Sequence, residues 1–363
     1  MHFKIALLSA TITVSIEKVY AAPASPPSSS QVLSNPSYGP IPGESSYYST
    51  YTDQAAPFPA NFISPILPTT NGPAGPDDLL FQNLLSAEYV VYSFYQSGVE
   101  AFSTSSFTSL GFPNTTYSRI IEIRDNEAGH LRIFQDQISS NSIKPGPCQY
   151  EYGYTGASEF LAVLSLIETA SMAFLTGLVQ EAQLNASKGA LLAIGETESR
   201  HNTWSLIDIW KASPFAGPAD TWFPYANQIL DLTNEFIVPG SCPPQNPIYP
   251  SPRQNLPKMN TGANTTSIAP GSNITFQFTD LANQPTFSEG EEYYAVFFHG
   301  LFNISVAFDT KTNGTTIPAA FEEKGIIIGV IADEPGAPTL ASVLAGPVLL
   351  LQQPGQISVA LSE

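Results

Sequence analysis

Positive charge is scarce in this chain. Thirteen Lys and Arg stand against 31 Asp and Glu, a formal net charge of −18 over 363 residues. Without a basic face there is nothing to release counterions from phosphates, which excludes nucleic acid and disfavours anionic membrane surfaces. Long hydrophobic runs are lacking too. The N-terminal run IALLSATITVSI is too short to span a bilayer, no other stretch is read as a span, and no membrane partner is expected. The C-terminal Ser362-Glu363 lacks the apolar tail of a lipid-anchor signal. Cysteine is limited to Cys148 and Cys242. In an oxidising compartment these most simply pair with each other, and in the chain-entropy model the bridge contributes roughly 4–5 kcal/mol. Two isolated thiols are the alternative.

What is present points to export. Lys4, the apolar run after it and the small residues around Val19-Tyr20-Ala21 predict a signal peptide over 1–21. Its removal takes Lys4, Lys18 and Glu17 with it, leaving 11 − 30 = −19. Six Asn-x-Ser/Thr sequons, at Asn114, Asn185, Asn264, Asn273, Asn303 and Asn313, fit a secreted glycoprotein. The expected location is extracellular or in a cell wall, with association to wall or glycan as one kind of partner.

The fold class read from the pattern is α+β multidomain. Residues 22–75 are rich in Pro, Ser and Tyr with almost no periodicity, a composition too poor in buriable surface to order itself. A helical bundle is expected over 76–238. Its helices fall at 77–103, 115–140, 156–184 and 187–212, with a fifth at 219–236 containing Trp222 and Phe223. Asp77 and Asp78 suit the start of the first helix. A Pro-rich stretch, 239–262, reads as a semi-rigid linker. Beyond it, at 263–363, the period becomes two. ITFQFT, YYAVFFHG, ISVAFD, GIIIGVIAD and ISVALSE are short runs between turn residues, and about seven strands predict a β-sandwich. His299 there has no partner group nearby in sequence and is read as structural.

The chemistry sits in the helices. Glu88 lies in the apolar stripe of the first helix, and Glu127-Ala-Gly-His130 follows on the second. Glu168 is the one charge in the core of the third, and Glu198-Ser-Arg-His201 follows on the fourth. Residues three apart emerge from one helix face, so a Glu and the His after it reach a common point. Two Glu-x-x-His segments plus two single glutamates supply six ligands for two metal ions in a bundle core. The carboxylate-rich set suits iron or manganese better than zinc, which takes four-coordinate sites richer in His and Cys. Surface glutamates with satisfied core histidines are the bland alternative. Tyr92, one turn after Glu88, is a candidate neighbour of the site, with core packing the commoner role. Met172 and Trp204 are read as bundle core, and Glu122, Asp125, Glu181 and Glu196 as solvated or capping charges.

On these residues the chain resembles the ferritin-like superfamily, and within it the secreted fungal ferritin-like proteins labelled as stress-response or late-sexual-development proteins. The resemblance covers about 77–236. It implies a four-helix bundle with Glu88 and Glu168 as terminal carboxylates, Glu127 and Glu198 as bridging carboxylates, and His130 and His201 as terminal nitrogen ligands. All six positions are filled, and no organic substrate is implied.

The expected activity is therefore oxidoreductase chemistry on dioxygen or peroxide, a small-molecule oxidant being the partner. The other reading is a structural cell-surface or cell-wall glycoprotein that uses the bundle as a scaffold without catalysis. Iron storage is a third and weaker idea, since a long leader and an added β region make a poor shell subunit. Oligomeric state is not readable.

Overall fold

Apolar residues spaced three and four apart produce helices through the first half of the chain, and the change to alternation after residue 258 produces strands. The computed structural model describes residues 63–215, 221–262, 265–322 and 325–352. The expected signal peptide, the 22–62 part of the low-complexity segment, Asn264 and the ISVALSE run lie outside the described residues.

The helices are α1 (Asp78–Ala101), a short α2 (Thr104–Thr108), α3 (Thr116–Gln137), α4 (Ala157–Leu178), α5 (Asn185–Trp204) and α6 (Ala226–Leu232). The chain leaves α5 through a π-helical turn, Ser205–Ile209, and leaves α6 through a 3-10 turn, Thr233–Phe236. α1 packs chiefly on α3, and α4 on α5. One contact shows how close the packing is. Phe160 of α4 stacks on Phe94 of α1 at 4.5 Å between ring centroids. A Cβ on Gly98 would lie 2.3 Å from the Phe160 ring, so glycine is required where the helices cross.

Asp77 and Asp78 do stand where α1 begins, but their carboxylates serve other segments. Asp77 accepts from the backbone N–H of Gln183 (2.8 Å) and Leu184 (3.0 Å), just ahead of α5. Asp78 accepts from the Ser139 N–H (2.9 Å) and from the Ser139 and Ser142 hydroxyls (2.6 Å each), just past α3. The start of α1 thus ties together the ends of the two helices that carry the Glu-x-x-His segments.

Four expectations need correction. The fifth helix begins at Ala226 rather than 219, because Pro224 offers no N–H to a helix there and Trp222 and Phe223 precede it. Residues 63–75 are not loose: Ile66 exchanges both backbone hydrogen bonds with Lys144, at 3.0 and 2.9 Å. The Pro-rich 239–262 segment is strapped to the bundle rather than spacing it from the strands. Asn83 on α1 pairs with both backbone groups of Ser251 (2.7 and 2.8 Å), and Asn246 with both of Gly146. Finally, α4 is long and apolar enough to cross a membrane, although 83% of its most apolar window is buried inside the protein.

Among the described residues seven strands follow, beginning within the expected linker: β1 (Met259–Thr261), β2 (Asn273–Phe278), β3 (Tyr294–His299), β4 (Phe302–Ala307), β5 (Gly314–Thr316), β6 (Ile326–Ala332) and β7 (Val343–Leu351). They form two antiparallel sheets, β1-β2-β5 and β4-β3-β6-β7. Ile274, Phe276 and Phe278 from the first pack against Phe297, Ile327 and Ile331 from the second, making a sandwich core. The other face of the four-stranded sheet does not meet water. Val296, Phe298, Ile328 and Val330 join the core of the bundle, where Phe298 meets Phe223 edge-to-face at 5.2 Å. Every residue of β6 is buried. That explains why GIIIGVIA reads as a continuous apolar run without alternation.

His299 is buried, with Nδ1 2.9 Å from the Ile326 carbonyl and its ring beside Phe321. Cys148 and Cys242 form a disulfide across 94 residues of sequence, which is consistent with an extracellular protein.

Candidate metal centre

The six expected residues are carried by α1, α3, α4 and α5, each Glu and the His after it within a single turn, and all six side chains are buried. α1 brings Glu88 into the interior nearly three turns before its Gly98 crossing. α3 brings Glu127 and His130, α4 brings Glu168, and α5 brings Glu198 and His201. The structure gathers them into two groups. Glu88, Glu127, His130 and Glu198 offer ligand atoms within 4.8 Å of one another, and so do Glu127, Glu168, Glu198 and His201.

The geometry of the shared members is specific. His130 Nδ1 lies 2.8 Å from Glu127 Oε2, 3.3 Å from Glu88 Oε1 and 3.4 Å from Glu198 Oε1. His201 Nδ1 lies 3.1 Å from Glu127 Oε1, 3.3 Å from Glu168 Oε2 and 3.4 Å from Glu198 Oε2. Glu127 and Glu198 each turn one oxygen to each imidazole. Glu88 reaches only the first and Glu168 only the second.

Four carboxylates at this spacing, out of water, repel one another strongly. Burial, and then the nearby Glu127, push Glu88 well above the usual carboxylate range. Burial, Glu127 and Glu168 do the same to Glu198. For Glu127 burial also acts upward, but His130 and His201 on either side outweigh it and hold that carboxyl low. The histidines respond in kind. Burial would lower them, yet the carboxylates around them raise both well above the ordinary imidazole value. Without cations the cluster therefore holds itself together by keeping protons.

Protons do not satisfy it fully. Glu88 Oε1, Glu127 Oε1, Glu168 Oε2, Glu198 Oε2 and His201 Nδ1 are buried without a hydrogen-bond partner. These are the atoms that face the shared centre, and buried polar atoms left unpaired cost free energy. Four carboxylates carry four negative charges, which two divalent cations would balance with both imidazoles neutral. Oxygen-rich ligation with one nitrogen per position also suits such ions. The donor set fits a pair of metal ions.

Two residues that hold this set were not picked out from the sequence. The Tyr95 hydroxyl donates to Glu168 Oε1, with burial and then Glu168 itself keeping the phenol protonated. Tyr95 is seven residues after Glu88, two turns on along the same helix face, so the periodicity could have found it. Asn126 Oδ1 accepts from His201 Nε2 at 3.2 Å. An imidazole donating through Nε2 keeps its Nδ1 lone pair turned into the cluster. No sequence signal marks Asn126, since the contact joins α3 to α5. Tyr92, the residue that was picked out, is buried on another side, among Arg124, Asp125 and Glu100, and burial pushes its phenol up to about 12.

Asp125 is not a solvated charge either. It is buried and paired with the equally buried Arg124 at 2.6 Å, and burial, partly offset by that arginine, raises its carboxyl. Glu122 pairs with Arg119 on the surface, and Glu196 is exposed. Met172 and Trp204 are half-buried rather than central.

A search of curated proteins returns no match to this chain. Residues 77–206 match the family model of the ferritin-like domain, a span that contains all six clustered residues and supports placing the helical region in the ferritin-like superfamily.

Proposed function

We propose that the cluster holds two metal ions, iron or manganese, and that the protein is an exported oxidoreductase acting on dioxygen or peroxide. The observation that carries this reading is the division of labour among the carboxylates. Glu127 and Glu198 face both imidazoles, and Glu88 and Glu168 face one each. When bound, such a pair of ions supplies one-electron steps and adjacent positions for a small oxidant.

The chain's own residues define the rest. Asn126 fixes the tautomer of His201, and Tyr95 holds the carboxylate of Glu168 in place. The six side chains are at most 5% exposed, which keeps bulk water and large reactants away. A mainly apolar cavity of about 200 Å³ lies where α1 and α4 meet α6, the turn after it and strands β1 and β7; Ala87, Val91, Ile167 and Ser171, neighbours in sequence of Glu88 and Glu168, line it, while the cluster residues themselves do not. It suits an uncharged small oxidant. A purely structural bundle would gain nothing from five unsatisfied polar atoms at its centre and would be more stable with apolar residues there.

Export and a role in stress or development complete the proposal. The disulfide supports export. Among the described residues the sequon asparagines Asn114, Asn185, Asn273 and Asn303 are exposed, as a glycosylated chain requires. The test is to load the purified chain with Fe(II) or Mn(II) and follow peroxide disproportionation and oxygen uptake with a reductant. Turnover that disappears in Glu127→Ala is expected. Full turnover in that variant, or none in the loaded wild type, refutes the oxidoreductase reading.

A further inference from the structure

The outer wall of α4 and α5 faces a second feature that the metal cluster does not use. A cleft of about 440 Å³ lies between these helices and the four-stranded sheet. Its two walls differ in chemistry. The helix wall is mixed, with Thr169, Ser199, Asn202 and Thr203 among the apolar Met172, Leu192 and Leu206; the opposite wall is apolar, with Phe298, Ile326 and Ile328. The half-buried indole of Trp222 closes one side.

At another point of the seam between bundle and sheet apolar rings meet directly, Phe223 against Phe298 at 5.2 Å. Here hydroxyls and an amide line the open space opposite the isoleucines, Thr169 donating to the Ser165 carbonyl at 2.8 Å and lying 3.5 Å from Asn202 Oδ1. The Ser199 and Thr203 hydroxyls and the Glu196 carboxylate make no hydrogen bond to another described side chain or backbone group. Among the described lining residues Glu196 is the sole charge and no Lys, Arg or His appears, which disfavours anionic ligands.

Gly195 adds an independent observation. Glycine inside a helix costs about 1 kcal/mol relative to alanine. A Cβ built there would meet only Leu175 Cβ, at 4.0 Å, an ordinary contact. Packing does not demand this glycine, unlike Gly98. Gly195 lines the cleft, so a bulky side chain there would take up part of its volume.

We propose that this cleft binds a neutral sugar ring. A pyranose has an apolar face of C–H groups and a rim of hydroxyls, which matches one isoleucine-and-indole wall and one wall of hydroxyls, amide and carboxylate. The site is separate from the metal cluster, because Ser199 and Asn202 point one residue step, ~100°, away from Glu198 and His201 on α5.

The full chain would be tested by saturation-transfer NMR with the methyl glycosides of glucose, xylose and N-acetylglucosamine, and with cyclohexanol as a ring of similar size bearing one hydroxyl. Transfer to the ring C–H protons of at least one glycoside is expected. Gly195→Phe should abolish it while the helical circular dichroism and melting temperature are retained. Trp222→Ala should weaken it at least tenfold, and it keeps the proposal testable if the glycine variant does not fold. No transfer from any glycoside, undiminished transfer in Trp222→Ala, or cyclohexanol binding as tightly as the glycosides would each overturn the proposal. Metal content is not a readout here, so loss of sugar binding and loss of the metal centre are distinguishable.

Discussion

Glu127 sends one carboxylate oxygen to each of two imidazoles, Oε2 to His130 Nδ1 at 2.8 Å and Oε1 to His201 Nδ1 at 3.1 Å. Glu198 on α5 likewise turns one oxygen to each imidazole, at 3.4 Å in both cases, so both candidate metal positions depend on these two carboxylates.

Proton release should accompany loading. In the metal-free cluster His130 and His201 are raised by the carboxylates against the effect of burial, and Glu88 and Glu198 are raised by burial and by neighbouring carboxylates. All four groups then hold protons that a cation must displace. Metal affinity should rise with pH, and calorimetry in buffers of different ionisation enthalpy should show net proton release. Affinity independent of pH would contradict the protonated cluster.

Removal of the Tyr95 hydroxyl tests the support around Glu168. Tyr95→Phe keeps the ring packing against Phe94 and Phe160 but leaves Glu168 Oε1 without its donor. A loss of about 10–100-fold in metal affinity is expected, as for other groups that orient a ligand. A variant that merely melts lower by about 1–2 kcal/mol of stability, with unchanged affinity, would assign Tyr95 a packing role only.

Acid should loosen the bundle through Asp78. Burial acts to raise this carboxyl, but hydrogen bonds from Ser139, Ser142 and Gly75 outweigh it, and its folded value lies below the ordinary 3.8. A depressed carboxyl contributes stability that is fully present above its unfolded value and lost as pH falls through the folded one. Asp78→Asn should cost about 2–3 kcal/mol at neutral pH, and the gap to wild type should close below pH 3.8. Urea unfolding at several pH values measures both. A gap that persists unchanged in acid would contradict the assignment.

The disulfide should matter in proportion to the loop it closes. Replacing Cys148 and Cys242 by serine frees 94 residues of separation that contain the last part of the bundle. A loss of about 2–5 kcal/mol is expected in chemical denaturation. Equal stability with and without the bridge would show that the Asn246–Gly146 contacts beside it suffice.

Much of this was legible in the sequence, and for identifiable reasons. Helical periodicity marks α1, α3, α4 and α5 to within a few residues at most ends, and spacing by three places each Glu with its His on one face. Alternation marks β2 and β3. What escaped the sequence depends on contacts between distant segments. β7 is apolar throughout and holds Pro347, so neither alternation nor composition announces a strand; burial against β6 makes it one. The 239–262 segment looks like a spacer because its apolar content is low, yet the Asn83 side chain accepts from the Ser251 N–H and the Asn246 side chain donates to the Gly146 carbonyl, contacts that composition does not encode. Asn126 meets His201 across 75 residues. Asp125 has the composition of a surface charge, and only the buried Arg124 beside it removes it from water.

The most direct test is the number of iron or manganese ions per chain, measured by elemental mass spectrometry after anaerobic loading and desalting. Two per chain are expected in the wild type, about one in Glu88→Ala or Glu168→Ala, and none in Glu127→Ala. A wild type that retains no metal, or a Glu127→Ala variant that still retains two, would contradict the dimetal centre.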